Sequence, residues 1–127
     1  MKPNVLVAVT DLLLSSKIKE ACKHLELVAS PLKKNEQFLT MSKNEKPDLI
    51  ILDLDSSIYK PLEILKKLKE DKEFSDIPVI SFFAHTHLEI QKNAMELGYN
   101  QILPRSAFFN NLPELLKTAI KKETNKL

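Results

Sequence analysis

Residues 47–53 read Pro-Asp-Leu-Ile-Ile-Leu-Asp and contain the most apolar run of the chain. Four consecutive aliphatic side chains, Leu49–Leu52, are typical of a strand whose two faces are both covered, as in a parallel sheet. The run ends abruptly at Asp53, and a second carboxylate follows at Asp55. Because ligands of open parallel sheets bind beyond the carboxyl ends of the strands, these two carboxylates are candidates for a functional site.

Short apolar runs alternate with helical patterns on both sides of this segment. Apolar residues that recur at steps of three and four predict helices, and continuous aliphatic runs predict strands. The predicted strands are Val5–Val9, Leu25–Ala29, Leu49–Leu52, Ile77–Phe83 and Gln101–Leu103; the predicted helices are 14–25, Asn35–Asn44, Pro61–Lys69, Leu88–Leu97 and a last one with its N-cap at Asn111. Five βα units in a row predict an α/β fold with a parallel sheet and helices on both faces.

The composition excludes several classes of protein. The chain of 127 residues is the length of one domain, and its only cysteine, Cys22, excludes a disulfide framework and a four-thiolate metal site. The only glycine, Gly98, argues against a phosphate-binding P-loop or a dinucleotide fingerprint, which need several glycines. The net charge of +2 is too small to indicate a nucleic-acid or membrane partner. No segment approaches the length of a membrane span, so we expect a cytoplasmic protein.

Three motifs resemble the receiver domains of response regulators (CheY-like domains). Residues 47–53 resemble the family's third strand, which ends in the aspartate that accepts a phosphoryl group. Ile77–Ile80 resembles the start of the fourth strand, and Glu96–Gly98 resembles the approach to the fifth. The resemblance runs from Val5 to about Lys121. It implies one doubly wound, flavodoxin-like (βα)5 domain over residues 1–127, with strand order 2-1-3-4-5 and no output domain.

The resemblance also implies a role for the charged residues at the sheet end. Asp53 matches the phosphoacceptor, Asp11 matches a metal ligand, and Asp55 matches the residue whose backbone carbonyl contacts the metal. The family's metal is Mg²⁺, a hard cation that takes oxygen ligands. Arg105 stands at the basic position, where the family has a lysine. The alternative for Asp11 is a static ion pair with Arg105 in a pocket that holds no metal.

Two switch positions depart from the family pattern. Phe83 stands where the family has the threonine or serine that binds the phosphoryl group, and Ile102 stands where it has an aromatic switch residue. A phenyl ring donates no hydrogen bond, so a phosphoryl group loses about 1.5–3 kcal/mol of binding free energy. We also expect the ring of Phe83 to clash with the phosphate oxygens. These departures predict a degenerate receiver, or pseudo-receiver.

Three functions remain open. The first is a stand-alone receiver-like module of a two-component phosphorelay that has no enzymatic activity and binds a signalling protein, either a histidine kinase or another regulator, as a monomer or homodimer. Its predicted interaction face contains Tyr99, Ile102, Phe108 and Phe109, although the two phenylalanines suit a core equally well. The second is a receiver that takes phosphate at Asp53 with Mg²⁺. The third is a flavodoxin-like enzyme or binder of a small ligand.

Overall fold

Five parallel strands form one sheet in the computed structural model, which describes residues 2–32, 46–56, 58–84, 88–99 and 101–124. The strands are β1 (Asn4–Ala8), β2 (Val28–Pro31), β3 (Leu49–Asp53), β4 (Val79–Phe83) and β5 (Ile102–Pro104), in the order β2-β1-β3-β4-β5. The described helices are α1 (Leu12–His24), α2 (Pro61–Glu70), α3 (Leu88–Glu96), α4 (Arg105–Asn110) and α5 (Leu112–Thr124). The predicted α/β fold and strand order are confirmed. The predicted helix Asn35–Asn44 lies outside the described residues.

Two hydrophobic clusters cover the two faces of the sheet. Alternate residues of β3 enter different clusters: Leu49 and Ile51 pack with α1 and α5, whereas Ile50 and Leu52 pack with α2. All four side chains have no measurable exposure. The unbroken apolar run of this strand therefore follows from its central position in a sheet that is covered on both faces.

The second strand begins three residues later than the sequence predicts. The backbone N–H groups of Leu25 and Glu26 bond to carbonyls in the last turn of α1, and Glu26 adopts a left-handed conformation with φ 60°. The end of α1 thus uses residues that the apolar pattern assigned to the strand. Pro31 is the last residue of β2, and it is tolerated there because the strand is at the edge of the sheet, where a residue without an N–H can be accommodated.

The segment after β5 contains a short helix that was not predicted. α4 begins at Arg105, directly after the strand, and the side-chain amide of Asn111 donates a 2.8 Å hydrogen bond to the carbonyl of Ala107 in this helix. Asn111 therefore closes α4, and its backbone carbonyl also accepts the N–H of Leu115 at 3.0 Å, so it stands at the predicted start of the last helix. None of the described helices is long and apolar enough to cross a membrane.

Candidate functional site

Asp53 is the last residue of β3, beside Phe82 of β4, and is 6% exposed. Its Oδ1 accepts a 2.9 Å hydrogen bond from the backbone N–H of Asp55. The pKa of the Asp53 carboxyl is raised above its usual value, mainly by burial. The Asp55 N–H and the positive charge of Arg105 lower this pKa, whereas the negative charges of Asp55 and Asp11 raise it. The three charged residues predicted for the site therefore lie within electrostatic reach of Asp53.

Asp11 is the N-cap of α1. Its Oδ1 accepts hydrogen bonds from the backbone N–H groups of Leu13 (2.9 Å) and Leu14 (3.1 Å). A carboxylate at this position satisfies N–H groups that have no partner within the helix and interacts favourably with the helix dipole. This role was not predicted from the sequence, although an aspartate directly before a helical pattern is the usual signal for it.

The Asp55 side chain reaches across the sheet end to the residue that follows β4. Its Oδ2 accepts a 2.6 Å hydrogen bond from the backbone N–H of Ala84. The contact with Ala84 was not predicted from the sequence. The separation of 29 residues between the two partners explains why no local pattern signals it.

The oxygen donors at the sheet end fit a magnesium site in part. The carboxylates of Asp11 and Asp53 and the backbone carbonyl of Asp55 are the oxygen ligands that a hard cation prefers, and Mg²⁺ bound there would neutralise negative charge around Asp53. Within the part of the chain that the structure describes, however, no three acidic, histidine or cysteine side chains gather into a metal-binding group. The Asp55 carboxylate faces Ala84 instead.

Arg105 opens α4 beside the acidic residues and is partly buried. Its Nε atom is buried and has no hydrogen-bond partner among the residues described. No ion pair joins Arg105 to Asp11 in the described ranges, so the alternative of a static salt bridge between them is not formed. Arg105 keeps a positive charge near Asp53, whose pKa it lowers.

Both switch positions carry apolar side chains that pack into one cluster. Phe83 and Ile102 lie partly buried against the core beneath α2 and α3. Strand alternation directs Phe82 and Phe83 to opposite faces, and Phe82 packs in the other cluster. The ring of Phe83 therefore occupies the α2/α3 face, and its clash with a phosphoryl group stays a prediction.

The predicted interaction face is partly core. Tyr99 is 7% exposed, and its hydroxyl donates a 3.4 Å hydrogen bond to the carbonyl of Leu65. Phe108 is fully buried, and its ring centroid lies 4.8 Å from that of Phe82. The assignment of Tyr99 as an interaction anchor is therefore wrong, and of the two alternatives left open for Phe108, the core is the one that the structure shows. Ile102 and Phe109 are half-buried. The large apolar side chains that are exposed were missed: Leu12, Leu13, Val28, Ile58, Leu88 and Met95.

A comparison with protein families matches residues 5–117 to the response regulator receiver domain. The chain belongs to this family. No curated protein matches the chain.

Solved structures of receivers share the fold of this receiver domain. A CheY-like receiver domain protein from Methanospirillum hungatei JF-1 has a TM-score of 0.81 and 14% identity, with all of both chains covered. A response regulator from Thermotoga maritima has a TM-score of 0.74 and 21% identity over 95% of this chain and 99% of that one. The phosphorylated cyanobacterial phytochrome response regulator RcpA has a TM-score of 0.75 and 18% identity over 100% and 97%.

Proposed function

We propose that this receiver domain acts without phosphorylation, as a cytoplasmic module that binds another protein of a two-component pathway and catalyses no reaction of its own. The two-component pathway follows from the family, since receiver domains interact with histidine kinases and other signalling proteins. That the domain acts without phosphorylation follows from the two switch positions, Phe83 and Ile102, which have no hydrogen-bonding side chain.

The observation that carries the proposal is the packing of Phe83 and Ile102 in one apolar cluster. A conformational switch driven by a phosphoryl group needs differential contacts between its two states. Neither a phenyl nor a sec-butyl side chain gains a hydrogen bond when negative charge arrives at Asp53. A new charge there has no polar side chain at either position through which to move β4 and β5.

Amide chemical shifts of the wild-type protein test this proposal. We expect Mg²⁺ with beryllofluoride, a phosphoryl-shaped anion that binds to aspartate carboxylates, to give no saturable shifts at Phe83 and Ile102 at millimolar concentrations. Saturable shifts at these two residues that vanish in Asp53→Asn would contradict it. A protein partner captured by the wild type should also be captured equally by Asp53→Asn, which cannot be phosphorylated at this position.

The runner-up is a receiver that takes phosphate at Asp53 without a conformational readout, as a shuttle in a relay. The presence of Arg105 and Asp11 within electrostatic reach of Asp53 favours it. Incubation with acetyl phosphate and Mg²⁺, followed by intact-mass measurement, distinguishes the two. A mass increase of one phosphoryl group in the wild type but not in Asp53→Asn would support the shuttle and remove the first proposal.

A further inference from the structure

The Asp55 carboxylate accepts a hydrogen bond from the backbone N–H of Ala84 and places a negative charge at the end of the sheet. We infer that the Asp55 carboxylate is a built-in anion that occupies the Ala84 backbone amide and keeps a phosphoryl-type anion away from Asp53. This inference deepens the proposed function and rests on it, since it explains why Asp53 would remain without a phosphoryl group.

Two backbone donors lie at this end of the sheet, one after each of two neighbouring strands. The N–H of Asp55 donates to Asp53 Oδ1 at 2.9 Å, and the N–H of Ala84 donates to Asp55 Oδ2 at 2.6 Å. Hydrogen bonds from N–H groups to ionised carboxylates are shorter and stronger than those between neutral groups. Asp55 therefore links the ends of β3 and β4 through its own backbone and side chain.

An anion that binds at Asp53 needs the same donors. A phosphoryl group carries three strong acceptor oxygens. The side chain of Phe83 donates nothing, and the Ala84 N–H is a backbone donor directly after β4. To use it, the incoming anion must displace the Asp55 carboxylate and then remain close to this negative charge.

The site otherwise retains positive charge for an anion. Arg105 lies near enough to lower the pKa of Asp53, and its buried Nε has no hydrogen-bond partner in the described part of the chain. The obstacle is thus the Asp55 carboxylate and not the lack of a cationic side chain. Removal of this carboxylate should open the site.

Titration of beryllofluoride in the presence of Mg²⁺, followed through the amide shift of Asp53, tests the inference. We expect Asp55→Ala to bind at least about tenfold more tightly than the wild type, and Asp55→Asn, which keeps an acceptor but loses the charge, to bind with intermediate affinity. The double variant Asp53→Asn with Asp55→Ala should show no binding. Equal affinity of Asp55→Ala and wild type, or no binding by either, would overturn the inference.

Asp48→Ala is a matched control, because the Asp48 carboxylate accepts a 2.8 Å hydrogen bond from the backbone N–H of Asn4, 44 residues away along the chain. We expect the affinity of Asp48→Ala for beryllofluoride to equal that of the wild type.

The chemical shift of the Ala84 amide proton gives a second readout without any ligand. It should move upfield in Asp55→Ala, and an unchanged shift would also refute the inference. Wild-type binding that shifts Phe83 and Ile102, with still tighter binding by Asp55→Ala, would refute only the proposed function.

Discussion

The hydroxyl of Tyr59 donates a 2.6 Å hydrogen bond to the backbone carbonyl of Leu32. Tyr59 is 9% exposed and lies in the loop between β3 and α2, whereas Leu32 directly follows β2 and is 1% exposed. The bond therefore joins the loop that follows the phosphoacceptor position to the edge of the sheet. The hydrogen bond is also buried, so water does not take the place of the hydroxyl when the hydroxyl is removed.

Tyr59→Phe should lower the free energy of unfolding by about 1–2 kcal/mol, because it leaves the buried Leu32 carbonyl without its partner. Urea unfolding followed by circular dichroism measures this loss. Tyr99→Phe is the control, since the Tyr99 hydroxyl makes a longer, 3.4 Å hydrogen bond to the Leu65 carbonyl. An equal loss in both variants would show that hydrogen-bond length does not determine the effect.

Ser81→Ala should raise the free energy of unfolding by about 1 kcal/mol. The side chain is fully buried in β4, and its Oγ has no hydrogen-bond partner among the described residues. A buried hydroxyl without a partner costs free energy that alanine does not. Ser56→Ala should instead be destabilising, because the Ser56 Oγ accepts a hydrogen bond from the Tyr59 N–H. Thermal unfolding of both variants checks the opposite signs.

Asp53→Asn should be more stable than the wild type at pH 7. Burial raises the pKa of Asp53 in the folded protein, so the ionised carboxylate is disfavoured there relative to the unfolded chain. The stability that the protonated carboxyl contributes is complete below the ordinary aspartate pKa of about 3.9 and is lost as the pH rises through the higher folded pKa. The difference between the two proteins, measured by urea unfolding, should therefore grow from pH 3 to pH 7. A constant difference would contradict this explanation.

Cys22 should make the protein less stable in alkali. Burial raises the pKa of its thiol from 9.0 to about 11. Between these two values the unfolded chain loses the thiol proton first, so stability falls by about 2–3 kcal/mol as the pH rises through this range. Cys22→Ala should show a shallower decline from pH 9 to pH 11 in urea unfolding. Parallel declines in the two proteins would assign the effect to other groups.

The sequence predicted those features that local chemistry determines. The run Leu49–Leu52 is buried on both faces of the central strand, and Asp53 is at its end, as the apolar pattern required. The position of β2 was wrong because Leu25 and Glu26 suit a strand by composition, while the capping of α1 uses them. Patterns of apolar residues do not reveal such competition between a helix end and a strand.

Side-chain contacts between distant residues were the part of the site that could not be predicted. Asp11 caps α1 and Asp55 reaches Ala84, and both contacts depend on where carboxylate oxygens point after folding. Tyr99 was assigned to the interaction face, and Phe108 was left open between that face and the core, because the family uses that face for binding. In this chain they fill the core, where their size contributes most to burial.

Phe83 and Ile102 pack in one cluster, and this has a consequence for how the cell would control the protein under the proposed function. With apolar side chains at both positions, a phosphoryl group at Asp53 would not turn the module on or off. Its output would then follow its copy number and the abundance of competitors for the same partner. Synthesis and degradation of the chain, rather than a kinase and a phosphatase, would set the strength of the signal.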